Sequence, residues 1–116
     1  SYSIIKRWAV GPHASPTAID LTNEMIMRAP TSVVVDFYLL IAQLDVGKHL
    51  EAFNRIETVI LGGSRDLMTP VSHSKRLAEA IPSADFVTIR GAGHMAMFEA
   101  PQQVTAAIER VIEKFS

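Results

Sequence analysis

Two residues of the sequence combine side-chain types and positions that could carry acid–base chemistry. Asp66 follows the apolar run "ETVILGG", and His94 follows "ADFVTIRG". Each lies four residues beyond the last position but one of its run, Gly62 for Asp66 and Arg90 for His94. A carboxylate that accepts a hydrogen bond from an imidazole fixes the tautomer of the ring and stabilises the imidazolium. The two residues could therefore form a general base with its orienting acid.

The elements around these residues would have to bring them together. Both runs are rich in β-branched and apolar residues and end at glycine, which predicts two strands buried on both faces. A helix is predicted between them, beginning at Pro70 with Thr69 as its cap and ending near Pro82. This order indicates parallel strands with a right-handed crossover. Both loops then leave the carboxyl edge of the sheet, where strands ~4.8 Å apart would let Asp66 meet His94.

The remaining elements are predicted to be helical. Ser15 can cap a first helix that has Pro16 at its first position and ends before Pro30. Thr31 can cap a second helix over residues 32–44, which is apolar nearly all round and so favours contacts on several sides. A weaker helical turn is predicted in "GKHLEAF". Pro101 opens the last helix, whose apolar stripe consists of Val104, Ile108, Val111, Ile112 and Phe115.

Composition limits the class of protein. The 116 residues are 48% apolar and 20% charged, with a formal net charge of −1. That balance is typical of a globular chain and argues against a nucleic-acid or anionic-membrane partner. There is no cysteine, which excludes disulfides and thiolate metal sites and fits a cytoplasmic protein. No run reaches the ~20 apolar residues of a membrane span, since "SVVVDFYLLIAQL" contains Asp36.

Other residues have plainer interpretations. An aspartate after a glycine-rich strand end is common turn chemistry, so Asp66 alone would be weak evidence for catalysis. His13, His49 and His73 have no partner signal, and we expect them to be structural or solvated. Trp8, Met95 and Phe98 are candidates for a substrate pocket, and the last two could equally be core residues.

The order of these features resembles one known family. "VILGGSRDLMTPVSHSKRLAEAIPSADFVTIRGAGHMAMFEAPQQVTAAIERVI" is similar to the C-terminal third of an α/β-hydrolase: an apolar strand, Gly-x-x-Asp, a Thr-Pro helix start, a second strand, Gly-x-Gly-His and a terminal helix. The resemblance covers about residues 56–115. It implies Asp66 as the acid of a catalytic triad and His94 as its general base. It also implies a helical cap segment and return to the core in residues 1–55, and the C-terminal βαβα portion of the core in 56–116.

One part of the family pattern is absent. The nucleophile elbow Gly-x-Ser-x-Gly does not occur, and Ser64 in "GGSRD" lies in the acid loop without the second glycine. Because the nucleophile precedes the acid and the histidine in this family, we expect it, with the oxyanion-hole loop, upstream of Ser1. The opening "SYSIIKRW" has no initiator methionine, which fits removal of upstream sequence.

The physics of the sheet supports the same expectation. Two parallel strands do not make a stable sheet, and their open edges invite pairing with another chain. The resemblance implies the fold class, a C-terminal fragment of an α/β-hydrolase in which two parallel strands with a crossover and terminal helices follow a helical cap segment. The N-terminal portion of the same protein, or a second copy, would complete the sheet.

The resemblance implies hydrolysis of a small-molecule ester or acyl compound by a Ser-His-Asp triad, a reaction that requires no metal or organic cofactor. An upstream aspartate nucleophile would instead indicate an epoxide hydrolase or a dehalogenase. A non-catalytic fragment or interaction module also remains open, since the chain contains no complete triad. A receiver-like or nucleotide-binding α/β domain is disfavoured, because no glycine-rich phosphate loop follows either strand.

Overall fold

The computed structural model describes residues 2–116. In chain order the elements are helices α1 (Tyr2–Trp8), α2 (Pro16–Arg28) and α3 (Thr31–Gln43), a 3₁₀ helix (Gly47–Arg55), strand β1 (Val59–Gly63), helix α4 (Val71–Ala80), strand β2 (Asp85–Ile89), and helices α5 (Ala96–Glu99) and α6 (Pro101–Glu113). β1 and β2 are parallel, with Val59 opposite Asp85 and Gly63 opposite Ile89. This register confirms the predicted strand–helix–strand unit and ends both strands at the same edge.

The helix caps follow the sequence only in part. The Ser15 hydroxyl accepts a hydrogen bond from the Ala18 amide at 3.1 Å, which confirms the predicted cap of α2. The predicted cap by Thr31 is wrong, because the extended backbone of Pro30 (φ −58°, ψ 137°) makes that proline the cap residue and places Thr31 inside α3.

Thr69 is also not a helix cap. Pro70 has the extended backbone of a cap residue (φ −50°, ψ 146°), and α4 begins at Val71. Thr69 therefore comes one residue too early to bond the free amides of the first turn. Its hydroxyl donates instead to a carboxylate oxygen of Asp66, at 2.9 Å.

Most of the described core lies on α1, on the segment that follows it and on α2, with further buried residues after α4, at the end of β2, in the loop after β2 and on α6. Its buried residues are Ile5, Ala9, Val10, Ala18, Ile19, Thr22, Ile81, Ile89, Ala92 and Ala107. The prediction that both strands are buried on two faces is wrong within residues 2–116, since only Gly62, Gly63 and Ile89 of the strands are buried. The physical reason is that each strand has a single neighbour in this two-stranded sheet.

Large apolar surfaces remain exposed on the helices. α3 has no buried residue, and Phe37 and Leu40 are 61% and 65% exposed. On α6 the predicted stripe is half-buried at Val104 and Val111 but exposed at Ile108 and Ile112, and Phe115 lies beyond the helix and is exposed. Monomeric soluble proteins rarely expose so much contiguous apolar surface, so a further surface must cover it or it will associate.

Within residues 2–116, no single helix is long and apolar enough to cross a membrane. α2 and α3 together reach the required length and composition, but the two helices are bent by 93° relative to each other.

We expect the isolated 116-residue polypeptide to self-associate or aggregate. Both strands have an unpaired edge, and the exposed apolar residues of α3 have no partner in the described structure. Size-exclusion chromatography with light scattering would measure the association, and calorimetry would measure the melt. A monomer that unfolds cooperatively would contradict this prediction.

Candidate active site

The loop after β1 holds Asp66 in one orientation. Its Oδ1 atom accepts hydrogen bonds from the backbone amides of Met68 at 2.9 Å and Thr69 at 2.8 Å. Its Oδ2 atom accepts from the Thr69 hydroxyl at 2.9 Å. The side chain is only 8% exposed. Residues of the same loop therefore hold both carboxylate oxygens of Asp66 in place, without any contribution from the rest of the chain.

The loop after β2 brings His94 back over the sheet edge. Gly91 turns the chain with φ of +83°, a value that residues with a side chain rarely adopt. The Gly91 amide donates to the Ser64 hydroxyl oxygen at 2.8 Å, and the Arg65 amide donates to the Ala92 carbonyl at 2.9 Å. These two bonds fasten the loop after β2 to the loop after β1.

The two loops bring Asp66 and His94 into direct contact. The Nδ1 atom of His94 lies 2.9 Å from Oδ2 of Asp66 and 3.2 Å from the Thr69 hydroxyl oxygen. An ionised carboxylate can only accept, so Nδ1 carries the proton and Nε2 of the neutral ring keeps its lone pair. The His94 side chain is 36% exposed, against 8% for Asp66. The imidazole can thus take a proton from an approaching group while the carboxylate stays shielded.

The environment keeps the Asp66 carboxyl ionised. Burial by itself would raise its pKa. The hydrogen bonds from the Thr69 amide, the His94 ring and the Thr69 hydroxyl act in the opposite direction and outweigh the burial, so the pKa of Asp66 lies below its usual value. The Asp66 carboxyl therefore ionises more readily than an ordinary aspartate.

Of the three candidate pocket residues, only Trp8 lines an apolar cavity in the structure. Trp8 is half exposed and lines a wholly apolar cavity of about 420 Å³ together with Ile4, Ile5, Ala9, Ile26 and Met68. Met95 and Phe98 are half-buried and do not line this cavity. Met95 is nevertheless close to it, since its amide donates to the carbonyl of Ala9 at 3.1 Å.

Ser64 and the other histidines do not join the pair. The Ser64 hydroxyl accepts from Gly91, and among residues 2–116 it makes no hydrogen bond to His94. His13, His49 and His73 are all exposed, as expected for solvated residues. Across the described residues there is no group of three or more His, Asp or Glu side chains arranged to hold a metal ion.

Sequence reasoning missed the part that Thr69 plays in this site. The residue contacts both members of the pair, by a hydrogen bond to Asp66 and a 3.2 Å approach to His94. A local signal for it exists, because an aspartate often bonds the amides two and three residues ahead. The Thr-Pro pair is also typical of a helix start, and it therefore favours a helix cap at Thr69 over a hydrogen bond to Asp66.

The fold and the paired loops agree with the comparison to known families. The family model described as "alpha/beta hydrolase fold" matches residues 17–101, which is most of the chain. The chain therefore belongs to the α/β-hydrolase fold family. This result confirms the resemblance noted in the sequence, and with it an α/β fold of two parallel strands and several helices.

Two solved structures give the relationship more detail. A thermophilic esterase from Thermogutta terrifontis with malate bound matches with a TM-score of 0.76 and 33% identity, over 85% of this chain and 36% of that one. A putative non-heme bromoperoxidase, BpoC, from Mycobacterium tuberculosis H37Rv matches with a TM-score of 0.51 and 28% identity, over 58% and 26%. The chain thus spans about a third of the length of the esterase. No curated protein matches it in sequence.

Proposed function

We propose that this chain supplies the acid and the general base of an ester or acyl hydrolase. The observation that carries the proposal is the 2.9 Å contact between His94 Nδ1 and an Asp66 carboxylate that is fixed by its own loop. The 33% identity to an esterase supports ester substrates over the other reactions that this fold hosts. Residues 1–55 would belong to a cap segment and residues 56–116 to the core, a division that stays a prediction.

The reaction that we propose needs a serine from outside these 116 residues. That serine would attack the acyl carbon while Nε2 of His94 takes its proton. His94 would then protonate the leaving alcohol, and an acyl-enzyme would remain. Water that gives a proton to His94 would then attack the acyl carbon, and His94 would return that proton to the serine oxygen as the acyl–serine bond breaks and the acid is released. Asp66 would hold the Nδ1 proton throughout and offset the charge of the imidazolium.

The apolar cavity beside Trp8 supports a substrate with an apolar acyl or alcohol group. Its wall includes Met68, two residues beyond Asp66, and Ala9, whose carbonyl bonds the residue after His94. A volume of about 420 Å³ is within the range of small-molecule pockets. Met95 and Phe98 are half-buried and outside this cavity, so we assign them to the core rather than to contacts with the substrate.

Activated esters test the proposal in the intact protein. We expect hydrolysis of 4-nitrophenyl acetate and butyrate, and one covalent adduct per protein with an organophosphonate, located by mass spectrometry on a serine. An adduct-free protein that opens epoxides or releases halide would indicate an aspartate nucleophile instead. A protein that does none of these would be a non-catalytic module, and the proposal would be wrong.

The pH dependence should separate the two residues. Activity should fall towards acid, because a protonated His94 cannot accept the proton of the nucleophile. The Asp66 carboxylate should not contribute to that fall, since its pKa is lowered in the folded protein. A plot of kcat/KM against pH measures this directly. A flat profile between about pH 5 and 8, where imidazoles change charge, would contradict the assignment of His94 as the base.

A further inference from the structure

A second carboxylate lies next to the loop after β2, which carries His94, and it has no part in the reaction described above. Glu99, at the end of α5, accepts hydrogen bonds from two backbone amides. The Gly11 amide donates to Oε1 at 2.6 Å. The Gly93 amide is shared between the two oxygens, at 3.1 Å from Oε1 and 3.0 Å from Oε2. Gly11 is 88 residues away from Glu99 along the chain, so this carboxylate joins two distant segments.

The segments that Glu99 joins are packed with almost no space between them. Gly11 and Gly93 are both buried. A Cβ atom placed on Gly93 would lie 2.5 Å from the Gly11 nitrogen, closer than real Cβ atoms approach. A Cβ atom on Gly11 would lie 2.9 Å from Oε1 of Glu99. The two glycines allow both amides to point at one carboxylate, a donor arrangement that an ionised side chain satisfies best.

His94 lies between two backbone anchors as a result. The amide on its N-terminal side, that of Gly93, is held by Glu99. The amide on its C-terminal side, that of Met95, donates to the carbonyl of Ala9 at 3.1 Å. Both anchors lead to the short segment that follows α1. The Asp66 contact thus fixes the ring of His94, while Glu99 and the segment 9–11 fix its backbone.

We propose that Glu99 is a positioning residue for His94, acting through the Gly93 amide and through its link to the segment 9–11. The inference rests on the proposed function, in which His94 is the general base. Loss of the carboxylate would leave the buried amides of Gly11 and Gly93 without an acceptor, and would free the Ala92–Gly93 peptide, one residue before His94, to move. A displacement of about 1 Å at a catalytic group can cost on the order of 10²-fold in rate.

The test uses Glu99→Ala and Glu99→Gln in the intact protein, with Glu109→Ala as the matched control. Glu109 is an exposed glutamate of α6 with no hydrogen-bond partner among the described residues. On 4-nitrophenyl butyrate we expect Glu99→Ala to lower kcat on the order of 10²-fold, with KM within about twofold of the wild type. The kcat of Glu99→Gln should lie between those of Glu99→Ala and the wild type. Glutamine keeps one acceptor oxygen, but its NH₂ group places a donor opposite the Gly93 amide. Glu109→Ala should match the wild type.

A spectroscopic measurement separates this inference from the proposed function. The Nδ1 proton of His94 and the amide proton of Gly93 can be followed by NMR, and neither signal depends on turnover. We expect Glu99→Ala to shift or broaden the Nδ1 signal and to speed exchange of the Gly93 amide, while Glu109→Ala leaves both unchanged. If Glu99→Ala does not fold, the same measurements on Glu99→Gln decide the matter.

Two results would overturn the inference. One is a folded Glu99 variant whose kcat stays within twofold of the wild type. The other is a folded Glu99 variant whose His94 and Gly93 signals coincide with those of the wild type. A wild-type protein without esterase activity would refute the proposed function alone, and the NMR comparison would still show whether Glu99 positions His94.

Discussion

His94→Ala should reduce kcat on the order of 10⁴- to 10⁶-fold in the intact protein, as removal of the base does in serine protease triads. Nothing else in the described site can replace the ring. Asp66 is only 8% exposed and its lowered pKa makes it a poor proton acceptor. Thr69 already donates its hydroxyl proton to Asp66. The measurement is kcat on an activated ester, and His73→Ala is the matched control because that histidine is exposed on α4.

The same substitution should affect folding much less. The His94 side chain is 36% exposed, so its removal takes little apolar surface out of the core. Asp66 keeps three of its hydrogen bonds, from Met68 and from the amide and hydroxyl of Thr69. We therefore expect the free energy of unfolding to change by about 1 kcal/mol or less. Normal turnover by a folded His94→Ala protein would rule out its role as the base.

The sequence predicts the parallel unit well because its signals are local. Each strand is a short β-branched run closed by glycine, and α6 begins at a proline, so neighbouring residues alone suggest the order of elements. The burial predicted for the apolar elements is wrong. Val59 to Leu61 are only half-buried, and α3 is exposed throughout, although an apolar run predicts full burial for both. Burial depends on the surfaces that meet an element, and those need not be near it in sequence.

The candidate site shows the same difference between features that local sequence predicts and contacts between residues that are far apart in the chain. Two parallel strands whose following loops carry Asp66 and His94 are enough to predict that these residues meet, and the structure brings them to 2.9 Å. The predicted equal spacing is wrong, because β1 ends three residues before Asp66 and β2 ends five residues before His94. The sequence does not indicate α5, since four residues give too little periodicity to identify a helix. No local pattern predicts the hydrogen bond between Glu99 and Gly11, because its two ends come together only when the segment 9–11 packs against the loop that carries His94.

Asp66→Asn should lower kcat on the order of 10⁴-fold, the effect that this change has in a serine protease triad. The loop geometry decides how the new amide would lie. Oδ1 accepts from the amides of Met68 and Thr69, so the carbonyl oxygen of asparagine must take that position. Its NH₂ group then faces Nδ1 of His94, where it would donate. Nδ1 would have to accept, and the ring proton would move to Nε2, the atom that the reaction needs free.

This variant also separates catalysis from turn formation. Asparagine preserves the two backbone hydrogen bonds that shape the loop, so a role of Asp66 in the turn alone would leave activity nearly intact. It removes the charge, however, and with it one pH-dependent part of stability. Because the folded-state pKa is lowered, that part is present above the usual aspartate pKa and is lost as pH falls through the lower value. Denaturant unfolding across this acidic range should show the loss in the wild type and in Asp20→Asn, a control at an exposed position of α2, but not in Asp66→Asn. A folded Asp66→Asn protein with kcat within tenfold of the wild type would assign Asp66 to the turn and deny it the catalytic role.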